Sequence, residues 1–126
     1  MNDQITKTKL SPDIVKQINV DQLDGIIYEE YYNIIDVRGI KGIEDQGRIP
    51  KAINIPFDLI DEAIDESHDD YNPIFSSNKP FLFCCTGGVM SYMAAIKAQK
   101  KGFKNICNLE GGHSAWLKLK AREESA

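Results

Sequence analysis

The sequence predicts an α/β fold in three layers, α/β/α, built on a mostly parallel five-stranded sheet. Three observations carry that expectation. The hydrophobic period switches repeatedly between strand-length apolar runs and helical spacings, so strands and helices should alternate along the chain. Two runs, 33–37 and 80–85, are nearly continuous in apolar residues, the pattern of strands covered on both faces. The chain has 126 residues, 42% of them hydrophobic. That length suits one domain, which should bury about two-thirds of its unfolded surface without disulfide or metal staples.

The elements follow in order. Residues 1–17 read as an N-terminal extension in which Ser11-Pro12-Asp13 has the form of an N-cap with proline at the first helical position, opening a short turn through Ile18. A short strand is expected over 18–20, then a helix over 22–28 capped by Asp21, with Leu23 and Ile27 on one face. After the strand at 33–37, Gly39, Gly42 and Gly47 mark a glycine-rich loop. It leads to a strand at 52–56 stopped by Pro56, and apolar residues at 57, 59, 60 and 64 then have helical spacing. The stretch 65–78 is acidic and turn-rich and reads as a loop before the strongest strand, 80–85. From Gly88 the spacing is helical again, with Val89, Met93 and Ile96 on one face and Gly102 as the stop. A strand over 105–109, a Gly111-Gly112 turn and a helix over about 114–122 complete the domain, expected over 18–120, with 121–126 as a frayed tail. In such sheets ligands sit at the carboxyl ends of the strands.

Composition narrows the function classes. Fifteen Lys and Arg against nineteen Asp and Glu give a net charge of −4, which argues against a nucleic-acid partner. The amino terminus shows no secretory signal, and no apolar stretch reaches the roughly 20 residues of a membrane span. The expected location is cytoplasmic. Three cysteines, two of them adjacent, make a poor disulfide framework and suit a reducing compartment. No Cys-x-x-Cys is present and His68 and His113 lie far apart, so no metal and no cofactor is expected, and both histidines read as surface or loop residues. An approach of His113 to the mouth of the site, after Gly111-Gly112, is the lesser alternative. The acidic stretch from Asp61 to Asp70 reads as solvated surface, and Trp116, Met90 and Met93 as packing residues.

The chemistry concentrates at Cys85-Thr86-Gly87-Gly88-Val89-Met90-Ser91, where a strand delivers a cysteine to a glycine-containing loop that runs into a helix. Unpaired N–H groups and the positive end of the dipole at a helix start stabilise a thiolate and attract an anion. Glycine lets the loop amides turn inward as a nest. Cys85 is thus the candidate nucleophile, Thr86 to Ser91 the candidate substrate cradle, and Thr86 and Ser91 add hydroxyl donors. Cys84, one residue earlier on the strand, should point into the core on the opposite face, and Cys107 should be packing. Asp36 and Arg38 read as an ion pair tying the first loop to the sheet or as a supporting pair beside the active loop.

These segments resemble the rhodanese (sulfurtransferase) family, single-domain type, over about residues 18–118. Ile34-Ile35-Asp36-Val37-Arg38 is similar to the family's Asp-Val-Arg signature, and the stretch from Gly47 to Pro56 to its Gly-His-Ile-Pro-Gly-Ala-x-Asn-Ile-Pro segment. Gly102-Phe103 and Leu109-Glu110-Gly111-Gly112 through Ala115-Trp116 resemble its carboxyl-terminal elements. The resemblance implies a rhodanese-like fold and transfer of sulfane sulfur from thiosulfate or a persulfide to a thiol or cyanide through a persulfide on Cys85. A small sulfur donor and a thiol acceptor, which includes protein thiols, are the partners it implies; rhodanese-like domains that only bind other proteins usually lack the cysteine. Arg48 and Lys51 stand where His and Gly are common. Met90 stands where many members carry Arg, which removes one charge that would hold thiosulfate. A phosphatase of the related Cys-x5-Arg kind would need Arg six residues after the nucleophile, and that residue is Ser91.

Overall fold

The computed structural model describes residues 15–125. The start of the turn expected from Ser11-Pro12-Asp13 through Ile18 lies outside them, and its described end is a strand, Lys16–Ile18, rather than a turn. Five parallel strands form one sheet in the order β1-β5-β4-β2-β3: β1 Lys16–Ile18, β2 Asn33–Asp36, β3 Ile53–Asn54, β4 Phe81–Cys84 and β5 Ile106–Leu109. Between them run α1 (Leu23–Glu29), α2 (Ile40–Gln46), α3 (Ile60–Ala63) and α4 (Val89–Lys100), and α5 (Gly112–Ser125) follows β5.

Alternation along the strands divides the core in two. Ile35, Phe81, Phe83 and Ile106 face one side, under Ile60 and Ala63 of α3 and Ala94, Ala95 and Ala98 of α4. Ile34, Leu82, Cys84, Cys107 and Leu109 face the other, under Leu23 of α1 and Trp116 of α5. Helices on both faces of a parallel sheet make the three layers α/β/α. The chain goes from β2 outward to β3 and then crosses back to β4, so the connection direction reverses between neighbouring strands β2 and β4. That reversal opens a crevice at their carboxyl ends, where Asp36 is paired in register with Cys84.

Several expectations need correction. The first strand ends at Ile18 rather than running over 18–20, because the Asn19 side chain accepts from the Asp21 amide at 3.0 Å and starts a 3-10 turn over Val20–Gln22. Asn19 caps that turn, and the helix expected to be capped by Asp21 has Gln22 at its N-cap with no side-chain cap bond. The glycine-rich loop at 39–47 contains α2, whose Ile43 is buried; Gly42 interrupts the apolar period without breaking the helix. Inside the expected loop at 65–78, Asn72 caps a 3-10 turn over Pro73–Ser76, and Phe75 stacks on Phe81 at 5.2 Å between ring centroids. On α4 the buried residues are Ser91, Ala94, Ala95 and Ala98, while Val89 and Met93 are exposed, so that helix turns its small residues inward. Met93 is not core packing. Small side chains let the helix axis lie close to the sheet, with the bulky Phe81 and Phe83 filling the space below. The last helix begins at Gly112 and runs to Ser125.

Candidate active site

Cys85 follows directly on β4, and its loop returns at once to form the first turn of α4. Gly88 makes this turn possible. It has φ +93°, and a Cβ there would meet the Gly111 amide nitrogen at 3.0 Å and the Leu109 carbonyl at 3.1 Å. The turn aims backbone N–H groups at sulfur: Gly88 donates to Cys85 Sγ at 3.2 Å and Ser91 at 3.3 Å. Burial pushes the Cys85 thiol up, but the Ser91 hydroxyl and the amides of Ser91, Gly88 and Gly87 together outweigh it and hold the thiol below its ordinary value. Cys85 is 3% exposed beneath the exposed Thr86, Gly87 and Val89. A reacting atom must therefore be small enough to reach down into the loop.

The neighbouring cysteines differ from it in electrostatics. Cys84 is fully buried on the opposite face; burial, with the Asp36 charge adding to it, pushes its thiol well up. Burial also raises Cys107. Near pH ~7 a thiol held below its ordinary value carries more thiolate than one held above it, so iodoacetamide should label Cys85 well before Cys84 or Cys107 in the folded protein. Peptide mapping by mass spectrometry reads the order, and equal labelling of all three would contradict it.

The floor of the site is a buried ion pair. Arg38 donates to both Asp36 oxygens, with Nη2 to Oδ2 at 2.7 Å, and both residues are 2% exposed. The guanidinium ties the first loop to the sheet and meets the active loop through Gln46. Its Nη2 donates to the Gly47 carbonyl at 2.9 Å and its Nη1 to Gln46 Oε1 at 3.3 Å, and that same oxygen accepts from the Thr86 hydroxyl at 3.3 Å. Asn54 clamps the other side, its Nδ2 donating to the carbonyls of Asp36 and Arg38.

Helix α5 closes the back of the loop. The amides of His113 and Ser114 donate to the carbonyls of Cys85 and Thr86 at 2.9 and 3.0 Å, which pairs donors that a helix start otherwise leaves free. His113 is buried rather than on the surface, because the Gly111-Gly112 turn folds the start of α5 under the loop. Its Nδ1 lies 3.4 Å from Arg38 Nη1. Burial and the Arg38 charge hold this imidazole below its ordinary value, so it accepts from Arg38 as a neutral ring.

The expected cradle is thus brought together mainly through its backbone. Thr86, Gly87 and Val89 lie at the mouth, whereas Met90 leans into the core and the Ser91 side chain is buried, giving its proton to Asn108 rather than presenting it to solvent. Gln46 and Asn108 join the network without having been expected there, and His113, expected at most near the mouth, lies buried in it against Arg38. Asn108 carried the one usable signal, a polar residue inside a strand otherwise apolar. Among the described residues no cluster of His, Cys, Asp and Glu could hold a metal ion, and no helix is long and apolar enough to cross a membrane.

The chain is similar in sequence and fold to known proteins. Thiosulfate sulfurtransferase/rhodanese-like domain-containing protein 3 from Mus musculus is 31% identical over 114 residues, which cover 86% of this chain and 73% of the mouse protein. A solved structure from Rhodopseudomonas palustris, a protein of unknown function described as a "possible tyrosine phosphatase", superposes with a TM-score of 0.81. It is 29% identical, with 84% of this chain and 82% of that one covered. A rhodanese-related protein from Thermoplasma volcanium superposes at 0.68 with 27% identity, covering 82% of this chain and 92% of its own. The rhodanese-like domain family model matches residues 19–119, a span that includes the carboxyl ends of β2 to β5 and the loops of the site, so this chain belongs to the rhodanese-like domain family.

Proposed function

We propose that this protein transfers sulfane sulfur, with Cys85 as the nucleophile. The observation that carries the reading is the pair of loop amides at 3.2 and 3.3 Å from Sγ, at the start of the 12-residue helix α4. They favour a thiolate without a neighbouring base. In the first half-reaction the Cys85 thiolate attacks the outer sulfur of thiosulfate or a persulfide. A sulfur–sulfur bond forms to Cys85 as the donor's own sulfur–sulfur bond breaks, and sulfite or a thiolate leaves with the electron pair. The outer sulfur of the resulting persulfide carries the negative charge, which the inward-facing amides receive. In the second half-reaction cyanide or a thiolate attacks that outer sulfur and Cys85 leaves as thiolate, so no net oxidant or reductant is consumed.

The loop also bears on the donor. Residues 85–91 include no cationic side chain, and the nearby Arg38 is buried and occupied by Asp36, Gly47 and Gln46. A persulfide of low charge therefore suits the site better than the dianion thiosulfate. The same facts weigh against phosphoryl chemistry, because no free guanidinium fork stands at the loop to grip a tetrahedral oxyanion.

Intact mass after incubation with thiosulfate or glutathione persulfide tests the proposal. The parent and Cys84→Ser should each gain one sulfur, about 32 Da, that dithiothreitol removes, and Cys85→Ser should gain none while keeping its fold. Cys84→Ser should instead lose stability, since it places a hydroxyl in the apolar face beneath α5. No gain by the parent with either donor would overturn catalysis in favour of an interaction module, and equal loss in two folded variants would overturn the assignment to Cys85.

A further inference from the structure

Asn108 lies in β5 on the face that packs beneath α4, flanked along the strand by buried apolar residues, and is itself fully buried. An amide in such a place is costly unless all its hydrogen-bonding groups are used. They are all used. Its Nδ2 donates to Gln17 Oε1 at 3.0 Å, across the β1–β5 pairing, and to the Gly88 carbonyl at 2.9 Å. Two acceptors on the nitrogen fix which way the amide faces, so Oδ1 is turned to Ser91 and can only accept. The Ser91 hydroxyl, 2.6 Å away, is therefore the donor. The amide of the same Ser91 donates to Cys85 Sγ at 3.3 Å, and the hydroxyl, which also helps hold the thiol below its ordinary value, has a single hydrogen.

Two acceptors thus compete for one proton. We propose that Asn108 is a positioning residue for the nucleophile: it takes the Ser91 hydrogen bond while Cys85 is an uncharged thiol and yields it to sulfur when Cys85 becomes a thiolate or a persulfide anion. The exchange is a rotation of the Ser91 hydroxyl. No covalent bond changes, and Asn108 Oδ1 gives up its donor while Nδ2 keeps both acceptors. Asn108 acts on the sulfur through Ser91 and does not touch a substrate. The inference rests on Cys85 as the nucleophile, and it adds a residue on β5 to a site otherwise built by β2, β4 and the two helix starts.

The test is the rate of iodoacetamide alkylation of Cys85 against pH, in the parent, Asn108→Leu, Ser91→Ala and the double variant. Asn108→Leu removes the competing carbonyl and frees the Ser91 proton for sulfur, so alkylation near pH ~6 should quicken by about twofold. Ser91→Ala should slow it, and adding Asn108→Leu to Ser91→Ala should change nothing further. A merely structural role would act without Ser91. An effect of Asn108→Leu that persists in the Ser91→Ala background, a slower reaction, or no effect at all overturns the proposal. Asn108→Thr, smaller and β-branched, repeats the test where Asn108→Leu does not fold. Alkylation reads the thiolate and not sulfur transfer, so failure here is distinguishable from failure of the transferase reading.

Discussion

Arg38→Met should cost about 3–5 kcal/mol of stability, the range for a buried ion pair that loses one partner, and lower the midpoint of thermal unfolding by roughly 10–20 °C. The size of the effect follows from what is left behind. Without the guanidinium, the Asp36 carboxylate stays buried at 2% exposure, and the Gly47 carbonyl, Gln46 Oε1 and His113 Nδ1 each lose a donor. Loss of charge is only part of the defect. Arg38→Lys keeps the charge but has no planar fork to reach Asp36, Gly47 and Gln46 together, so it should fall between the parent and Arg38→Met. The double variant Asp36→Leu, Arg38→Met should be more stable than Arg38→Met alone, because the unpaired charge is gone. Function should suffer as well, since Gln46 would no longer be held where the Thr86 hydroxyl meets it. Thermal unfolding of the three variants checks the argument; an Arg38→Met protein melting with the parent would show that the pair contributes nothing net.

Legibility from sequence followed burial and local period. The runs that became β2 and β4 were clear because both of their faces are covered, and the glycine-bearing loop after Cys85 was clear because strand, turn and helix adjoin in the chain. Helix α2 was hidden by its own glycines. Gly39 and Gly47 lie at its two caps, and Gly42 stands where an apolar residue would have completed the period. The face of α4 was misjudged for a different reason. Hydrophobicity pointed to Val89, Met93 and Ile96, whereas close packing on the sheet required Ser91, Ala94, Ala95 and Ala98, spaced i, i+3, i+4 and i+7. Size outweighed hydrophobicity there. Gln46, Asn108 and His113 meet the site across separations of 17 to 75 residues or through a helix not foreseen, and nothing local in the sequence ties them to Cys85. What joins them is topology, because β2, β4 and β5 end side by side.

That convergence makes Gly112→Ala the most damaging single methyl group in the site. Gly112 has φ +65°, and a Cβ there would stand 2.5 Å from the carbonyl oxygens of both Cys85 and Thr86. Both are backbone atoms and cannot swing aside. The start of α5 must withdraw, breaking the bonds from the His113 and Ser114 amides to those carbonyls, or the peptides of the active loop must rotate. Rotation would turn the Gly88 and Ser91 amides away from sulfur. Overpacking of this kind costs about 1–3 kcal/mol, and a left-handed conformation for alanine adds about 1–2 kcal/mol. Gly102→Ala separates the two causes, because Gly102 also has positive φ, +107°, but a Cβ there meets nothing within 4 Å. Gly102→Ala should therefore lose stability alone, with Cys85 alkylated at the parent's rate. Gly112→Ala should lose stability and slow alkylation by about tenfold or more, the factor that one pKa unit in the thiol represents. A Gly112→Ala protein whose Cys85 reacts as fast as the parent's would mean that the loop amides are held by α4 alone, and that the contact from α5 serves the fold rather than the nucleophile.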